Sequence, residues 1–215
     1  MALCDAHYCF TLVDVGAQGR QSDGGIFKNS AFGKQFYNRE MNLPMPQPIY
    51  TGGPTLPFVI VADEAFQLTD FLLRPYPGRS LSGDSAIYNY RHSRARRTIE
   101  NTFGILTAKW RIFRRAINVC VETAEFLILA TVCLHNFLKK DDHLPKYCPG
   151  TCVDREDESG YFLSGMWRQE TTPLKSVSTM GTNTNSRNAA TIRNQFKEHF
   201  ISNVGALPWQ WNGNV

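Results

Sequence analysis

The chain has 215 residues, of which 42% are hydrophobic and 20% charged, and its formal net charge is +4. This length and composition predict one domain of ordinary size with a sizeable core, whereas so small a net charge says little about partners. The most apolar run, 126–138, contains His135 and Asn136 and is too short to cross a bilayer, so we expect a buried helix and no membrane.

The N-terminal run 7–16 is rich in β-branched and aromatic residues and ends at Gly16, which predicts a strand. Because this pattern starts so soon after Met1, we expect the chain to begin inside a domain. A turn follows, and either Ser22 or Asp23 is a plausible N-cap for a helix over 25–40.

Five prolines and two glycines in 43–57 predict an extended connector. The next run, Phe58–Val61, is apolar without alternation, as is typical of a strand covered on both faces. Asp63 falls where this strand ends, at the edge where open α/β sheets bind ligands.

A strongly basic stretch follows, because 91–115 holds eight Arg and Lys side chains and one acid, Glu100. Apolar residues recur there at steps of four and three, which predicts one continuous helical stripe through Ile99, Phe103, Leu106, Trp110, Phe113 and Ile117. A second helix over Glu122–Lys140 is apolar nearly all round and is therefore expected to be buried.

The remaining chain is predicted to hold a polar linker over 141–188 and a C-terminal helix with an aromatic tail over 189–215. The tail, 206–211, is expected to pack back on the domain. The order of strands and helices predicts the α/β class.

Each candidate acid has a structural alternative. Glu100 lies at the border of the apolar stripe and could pair with Arg96 or Arg97, although the acid is C-terminal to the base, the weaker order. Asp63 could cap its turn and Asp23 its helix. Together, acids on a strand end and a long helix suit Mg²⁺-assisted phosphoryl chemistry, with arginines holding a phosphate backbone.

Several motifs in order carry a family resemblance: VDVGAQGRQSDGGIF, PFVIVADEAFQL, LLRPYPG, YNYRHSRARRTIENTFGILTAKWRIFRRAI and ATVCLHNFL. Over about residues 1–140, the chain resembles the DDE endonuclease domain of PIF/Harbinger transposases and the nucleases derived from them. The resemblance implies an RNase H-like (DDE transposase/integrase) fold and cleavage of DNA by Mg²⁺ or Mn²⁺.

The resemblance also assigns residues. Asp63 matches the second catalytic acid, Glu100 the third, and Asp23 a further metal-binding acid of animal relatives. A basic helix face is expected along DNA phosphates, formed by Arg91, Arg94, Arg96 and Arg97. Family members often act in the nucleus with a Myb-like partner, and the cytoplasm is the alternative location.

One departure from the family concerns its first catalytic Asp, which lies on a strand preceding the stretch that Met1 opens. Asp5 and Asp14 do not match it. We therefore expect a partial DDE domain over 1–140 that lacks the first strand, with impaired nuclease activity. The alternatives are a non-catalytic fragment that binds nucleic acid or protein, and a truncated gene product.

Overall fold

The computed structural model describes residues 1–17, 21–78, 81–140, 147–170 and 186–211, which form a mixed α/β structure with small sheets. The chain divides into two compact units. Unit 1 comprises Met1–Gln21 and Arg97–Ser176, and unit 2 comprises Ser22–Arg96 and Val177–Val215.

In chain order, the strands are β1 (Ala2–Cys4), β2 (Phe10–Val13), β3 (Gln47–Pro48), β4 (Thr55–Leu56), β5 (Ile60–Val61), β6 (Leu72–Leu73), β7 (Arg155–Glu156) and β8 (Phe162–Leu163). The α-helices are α1 (Asp23–Asn29), α2 (Ala31–Tyr37), α3 (Asp84–Lys109), α4 (Val121–Lys140), α5 (Trp167–Glu170) and α6 (Arg187–Ile201). Short 3₁₀ helices cover Arg111–Arg114 and Gly150–Cys152. Helix α3 contributes to both units because the division falls after Arg96.

Unit 1 is built on the N-terminal hairpin. The predicted strand is confirmed as β2, and it pairs antiparallel with β1, so that Ala2 lies opposite Val13. Asn136 of helix α4 bonds the hairpin twice, since its Oδ1 accepts the Phe10 N–H at 2.8 Å and its Nδ2 donates to the Phe10 carbonyl at 2.7 Å. The amide side chain thus satisfies both backbone groups of one strand residue.

Helix α3 lies between two apolar clusters of unit 1. Leu106 packs with Phe10 of β2 and Val132 of α4. Ile105, which is fully buried, packs with Cys152 and Val153. Adjacent helix residues point in different directions, so one turn of α3 anchors both clusters.

The end of α3 differs from the prediction. The helix stops at Lys109, and Trp110 has extended dihedral angles (φ −102°, ψ 94°) before the 3₁₀ helix. Phe113 nevertheless packs in the same cluster as Leu106. The Arg114 guanidinium donates to the Ala108 carbonyl at 2.7 Å, which satisfies one of the acceptors left open at the helix end.

Helix α4 confirms the predicted element, but the prediction that it is buried was wrong. Thr131, Val132 and His135 are buried, whereas Phe126 and Phe137 are 73% and 66% exposed. Apolar composition alone does not decide which faces find a partner. Among the described residues, α4 alone has the length and hydropathy of a membrane-spanning helix, a test that core helices of soluble proteins also pass.

The predicted linker, 141–188, lies partly outside the described residues. Its described part, 147–170, carries β7, β8 and α5, with Cys152, Val153 and Asp154 buried. Strands β7 and β8 form an antiparallel pair with Arg155 opposite Leu163.

In unit 2, the predicted helix over 25–40 is two helices. Ser22 is the N-cap of α1, as one alternative had it, and Ser30 both ends α1 and caps α2, its Oγ accepting the Gly33 N–H at 3.0 Å. A Cβ added at Gly33 would lie 1.7 Å from the Phe27 carbonyl oxygen, so the corner requires glycine.

The sheets of unit 2 are short. The predicted connector contains the antiparallel pair β3–β4, and the predicted strand is β5, which pairs parallel with β6. The prediction that this strand is covered on both faces was wrong, since Ile60 and Val61 are only partly buried and Phe58 is 46% exposed. Leu68 and Leu73 pack against Ala189 and Ile192 of α6. The predicted C-terminal helix is therefore confirmed.

The aromatic tail packs back on unit 2, as predicted. The Trp209 indole N–H donates to the Tyr90 hydroxyl at 2.9 Å. Gln210 is buried, and its amide donates to the Phe200 carbonyl at 2.8 Å. Polar side chains therefore fix the tail to both α3 and α6.

Stability should depend on pH through His135, which is fully buried; its Nε2 donates to the Tyr8 carbonyl at 2.7 Å, and its Nδ1 accepts from the Tyr147 hydroxyl at 2.9 Å. Burial lowers its pKa. The unfolded chain therefore takes up the proton first, and this residue's stabilisation is present above about pH 6.5 and lost as pH falls.

Denaturant unfolding between pH 5 and 8 measures this. We expect His135→Gln to flatten the pH dependence by at most about 1.4 kcal/mol per pH unit, whereas the exposed His7→Gln control keeps the wild-type slope. Equal slopes for His135→Gln and wild type would contradict the assignment.

Candidate metal-binding and nucleic-acid-binding site

Asp63 lies two residues after β5, at the carboxyl end of the parallel pair β5–β6. Its Oδ1 accepts the Ala65 N–H at 3.0 Å, and its carbonyl accepts the Phe66 N–H at 3.3 Å. The alternative that Asp63 caps its turn is therefore correct for one carboxylate oxygen, Oδ1. The same turn fixes the direction of the side chain at the edge where ligands of parallel sheets bind.

Asp23 is the first residue of α1, and the cap is its neighbour Ser22, whose Oγ accepts the Gly25 N–H at 3.2 Å. The helix start lies against the turn after β5, since a Cβ added at Gly24 would be 3.0 Å from the Ala65 carbonyl oxygen. Burial raises the pKa of Asp23, and the charge of Asp63 raises it further. The fold thus places two acids of like charge within electrostatic range of each other in unit 2.

His92 is a neighbour that the sequence analysis did not select. It is 5% exposed, and its Nε2 donates to the carbonyl of Leu73, the last residue of β6, at 3.2 Å. Burial lowers its pKa, while the charge of Asp63 acts in the opposite direction. The sequence does not indicate that His92 lies near Asp63, because this position results from its hydrogen bond to Leu73 of β6, which is distant in sequence.

Glu100 belongs to unit 1, where it is partly buried on α3. Arg168, which is distant in sequence, lies within electrostatic range of Glu100. The pKa of Arg168 is raised, first by its hydrogen bonds to Asp154 and then by the charges of Asp154 and Glu100. The ion pair of Arg97, one of the two partners proposed for Glu100, is with Glu156 at 3.0 Å.

The turn of α3 that carries Glu100 is clamped by the next residue, Asn101, which is 2% exposed. Its Nδ2 donates to the Asp154 carbonyl at 3.0 Å, and its Oδ1 accepts the Asp154 N–H at 2.8 Å and the Trp167 indole N–H at 2.9 Å. A Cβ added at Gly104 would lie 2.2 Å from the Trp167 ring, so glycine admits that ring to the helix surface. We call these contacts the Asn101 clamp.

The Asp154 carboxylate completes the clamp. It is fully buried and accepts from the Arg168 guanidinium at 2.6–2.9 Å and from the Gly165 N–H at 2.8 Å. Arg168 also stacks 4.5 Å over the Trp167 ring. A buried charge with this many partners is a specific feature of the fold, since a lone buried carboxylate would be strongly destabilising.

The donor set in unit 2 fits a hard divalent cation. Asp23 and Asp63 supply oxygen ligands only, and Mg²⁺ is commonly held by one or two carboxylates with water in its remaining positions. Like-charge repulsion between them would be relieved by a cation. Within the described ranges, no group of three or more His, Cys, Asp or Glu side chains is close enough to hold a metal.

Arg91 and Arg97, two of the predicted DNA-binding arginines, have polar and aromatic contacts inside their own units. Arg91 donates to the Gly205 carbonyl at 2.7 Å and lies 4.6 Å over the Phe200 ring. Arg97 pairs with Glu156 and lies 4.9 Å over the Phe162 ring. Their charges therefore stabilise packing as well as contributing to a positive field.

Arg94 and Arg96 are partly exposed. Arg94 lies 5.9 Å over the Tyr90 ring and 5.7 Å over the Trp209 ring. In unit 1, Arg111 and Arg115 are exposed beyond the end of α3. Exposed positive charge thus continues past the end of α3, as the eight Arg and Lys side chains of 91–115 predict.

A comparison with protein-family models gives one match, described as DDE superfamily endonuclease, over residues 1–136. No curated protein and no solved structure matches the chain. The matched span contains Asp23, Asp63, Glu100 and the four arginines, and it ends before Asp154.

The pair of acids in unit 2 can be tested by titration. Asp63→Asn should lower the pKa of Asp23 because it removes the neighbouring charge, but the pKa should stay above the ordinary value because burial persists. Carboxyl ¹³C NMR measures this directly. Glu64→Gln, an equal charge change one residue away, should leave the pKa of Asp23 almost unchanged; equal shifts in both variants would refute a specific pair.

The Asn101 clamp can be tested by stability. Asn101→Ala leaves three buried groups without their partner and should reduce the free energy of unfolding by about 3 kcal/mol or more. Denaturant titration followed by Trp fluorescence and circular dichroism measures the change. The exposed Asn118→Ala is the matched control and should shift stability by less than about 0.5 kcal/mol. A similar loss in both variants would argue against the clamp.

Proposed function

Because the chain belongs to the DDE superfamily endonucleases, we propose that it is a transposase-derived, metal-dependent DNA endonuclease domain of the PIF/Harbinger type. The family indicates a nuclease or transposase-type function that uses divalent metal ions. The observation that carries the proposal for this chain is the close approach of the start of α1, which bears Asp23, to the turn after β5, which bears Asp63. We also propose that the mixed α/β fold is RNase H-like.

Asp23 and Asp63 would hold Mg²⁺ or Mn²⁺, and the resemblance assigns Glu100 as a further metal-binding and catalytic acid. A bound cation of this kind activates water for attack on a phosphodiester and stabilises the charge on the leaving 3′ oxygen. The protein's own contribution is to fix the ligands. The Ala65 N–H orients the Asp63 carboxylate, and the Asn101 clamp fixes the turn of α3 that bears Glu100.

The raised pKa of Asp23 has a consequence for this chemistry. A carboxylate that is harder to ionise binds a cation only after losing its proton, so cation binding should strengthen as pH rises through the pKa of Asp23. Once bound, the cation replaces the repulsion of Asp63 with attraction. Binding of metal and release of a proton are therefore coupled at this residue.

For DNA, we propose that the arginines of α3 supply the phosphate contacts: Arg91, Arg94, Arg96 and Arg97. Arg91 and Arg97 also have partners within the protein, so their guanidinium groups have defined directions before DNA arrives. Such pre-ordered cations lose less entropy on binding. Affinity from phosphate contacts should fall steeply with salt.

For the 215-residue chain, we propose weak nuclease activity. Asp63 and Glu100 match two of the three catalytic acids of the resemblance, and neither Asp5 nor Asp14 matches the first. A metal-bridging carboxylate that is missing weakens both binding and alignment for in-line attack. By the same resemblance, we propose action in the nucleus, with a Myb-like DNA-binding protein as partner.

A second candidate function is DNA or protein binding without catalysis. The observation that favours it is the lack, among residues that the structure describes, of a cluster of three metal ligands. The basic helix would then keep its role while the acids serve only the fold. The two functions predict different dependence on Asp63.

A cleavage assay on labelled duplex DNA with Mg²⁺ or Mn²⁺ separates them. We expect slow, metal-dependent cleavage, and we expect Asp63→Asn and Glu100→Gln each to reduce its rate. The reduction should exceed the roughly 10–100-fold that follows from changing a residue that only hydrogen-bonds to a metal ligand. Glu64→Gln, the matched control, should retain activity. Salt-dependent binding with no cleavage, unchanged in Asp63→Asn, would instead establish the non-catalytic function.

A further inference from the structure

Helix α4 of unit 1 exposes a continuous apolar face. The exposed side chains recur at the spacing of one helix face, and we call them the α4 stripe: Phe126, Leu129, Ala130, Cys133, Leu134 and Phe137. Of these, Phe126 is 73% exposed and Phe137 is 66% exposed. A contiguous apolar patch on a folded surface is typical of an interaction site.

The stripe reads almost the same in both directions. About a midpoint between Thr131 and Val132, Phe126 corresponds to Phe137 and Leu129 corresponds to Leu134. The central positions, Ala130 and Cys133, are both small. In an isologous two-fold interface, residue i contacts residue j of the partner while j contacts i, so the corresponding positions of this stripe would bring side chains of similar size and polarity together.

Charge at the two ends of the helix is complementary in an antiparallel pair. Glu122 is exposed at the start of α4, and Lys140 is exposed at its end. In an antiparallel pair of α4 helices, Glu122 faces Lys140 of the partner subunit, and this happens twice. The helix dipoles also oppose each other favourably in that arrangement. A parallel pair would instead bring like charges together.

From the palindromic stripe and its complementary ends, we propose that two copies of this chain associate through α4, antiparallel, about a two-fold axis at the midpoint of the helix. The small central residues let the helices approach closely, while the phenylalanines pack near both ends. The association is independent of the acids of unit 2 and goes beyond the proposed nuclease activity.

A bilayer is the other environment suited to an apolar helix, but the contacts of α4 disfavour it. The face opposite the stripe is committed to unit 1: Val132 packs with Phe10, and Asn136 bonds both backbone groups of the same residue. Spanning a membrane would break these contacts. The structure therefore leaves one face of the helix for a partner and uses the other for the core.

Sedimentation equilibrium of the full chain over about 1–200 µM tests the proposal. We expect a concentration-dependent monomer–dimer equilibrium. Phe126→Gln and Phe137→Gln should each raise the dimer dissociation constant about tenfold or more, since each change removes two symmetric contacts. Tyr161→Gln, at a 65% exposed aromatic position of the same unit, is the matched control and should have no effect.

A charge exchange tests the antiparallel orientation. Glu122→Lys and Lys140→Glu should each raise the dissociation constant roughly 2- to 30-fold, because each replaces two attractive pairs by repulsive ones. Mixed together, the two variants should form a heterodimer tighter than either homodimer. Circular dichroism melts matching wild type confirm that every variant is folded.

Four outcomes would overturn the proposal, and the first three concern the state of the chain itself. These three are a monomer at every concentration, a monomer that binds phosphatidylcholine vesicles through α4, and a mixture of charge variants no tighter than its components. A dimer weakened equally by Tyr161→Gln would also overturn it, since that effect would be non-specific. None of these readouts requires nuclease activity.

Discussion

Helix α3 is the constraint on which both units depend, because one continuous element supplies buried side chains to each. Its N-terminal part gives unit 2 Tyr88 and His92, and its C-terminal part gives unit 1 Ile105 and Leu106. Glu100 and the basic face are carried by the same helix. Any change in the helical path between these residues would therefore alter cores and candidate functional groups together, which restricts how the element can vary.

The three candidate acids, Asp23, Asp63 and Glu100, differ in the charged groups that surround them. In unit 2, burial and then the charge of Asp63 raise the pKa of Asp23. In unit 1, Arg168 is held by Asp154 with Glu100 nearby. One acid is thus placed beside a fixed cation and two are placed beside each other, so the three acids do not have equivalent surroundings.

Elements with local signals were predictable from the sequence. Ser22 precedes a helix with the chemistry of an N-cap, the β-branched run around Phe10 is a strand, and the periodic segment near Ile192 is a helix. The place of Asp63 just after an apolar strand followed from the same kind of signal. Each depends on residues that are neighbours in the chain, so pattern and structure agree.

The misses share a different cause, which is contact between distant parts of the chain. The stripe through Trp110 and Phe113 continues past the end of α3 because both residues still pack in one cluster while the backbone changes conformation. The order of 147–170 depends on Asn101, some 50 positions away. The site neighbour His92 is identified only by the carbonyl of Leu73. Periodicity cannot report such pairings.

The Asn101 clamp has a consequence for where this domain ends. The family's sequence signature stops at residue 136, yet the partners of Asn101 and part of the covering of Ile105 come from 148–167. A fragment that ended at residue 136 would expose the fully buried Ile105. It would also leave the buried Asn101 amide without its three hydrogen-bond partners. The folding unit therefore extends beyond the matched span, and autonomous expression requires residues after 136.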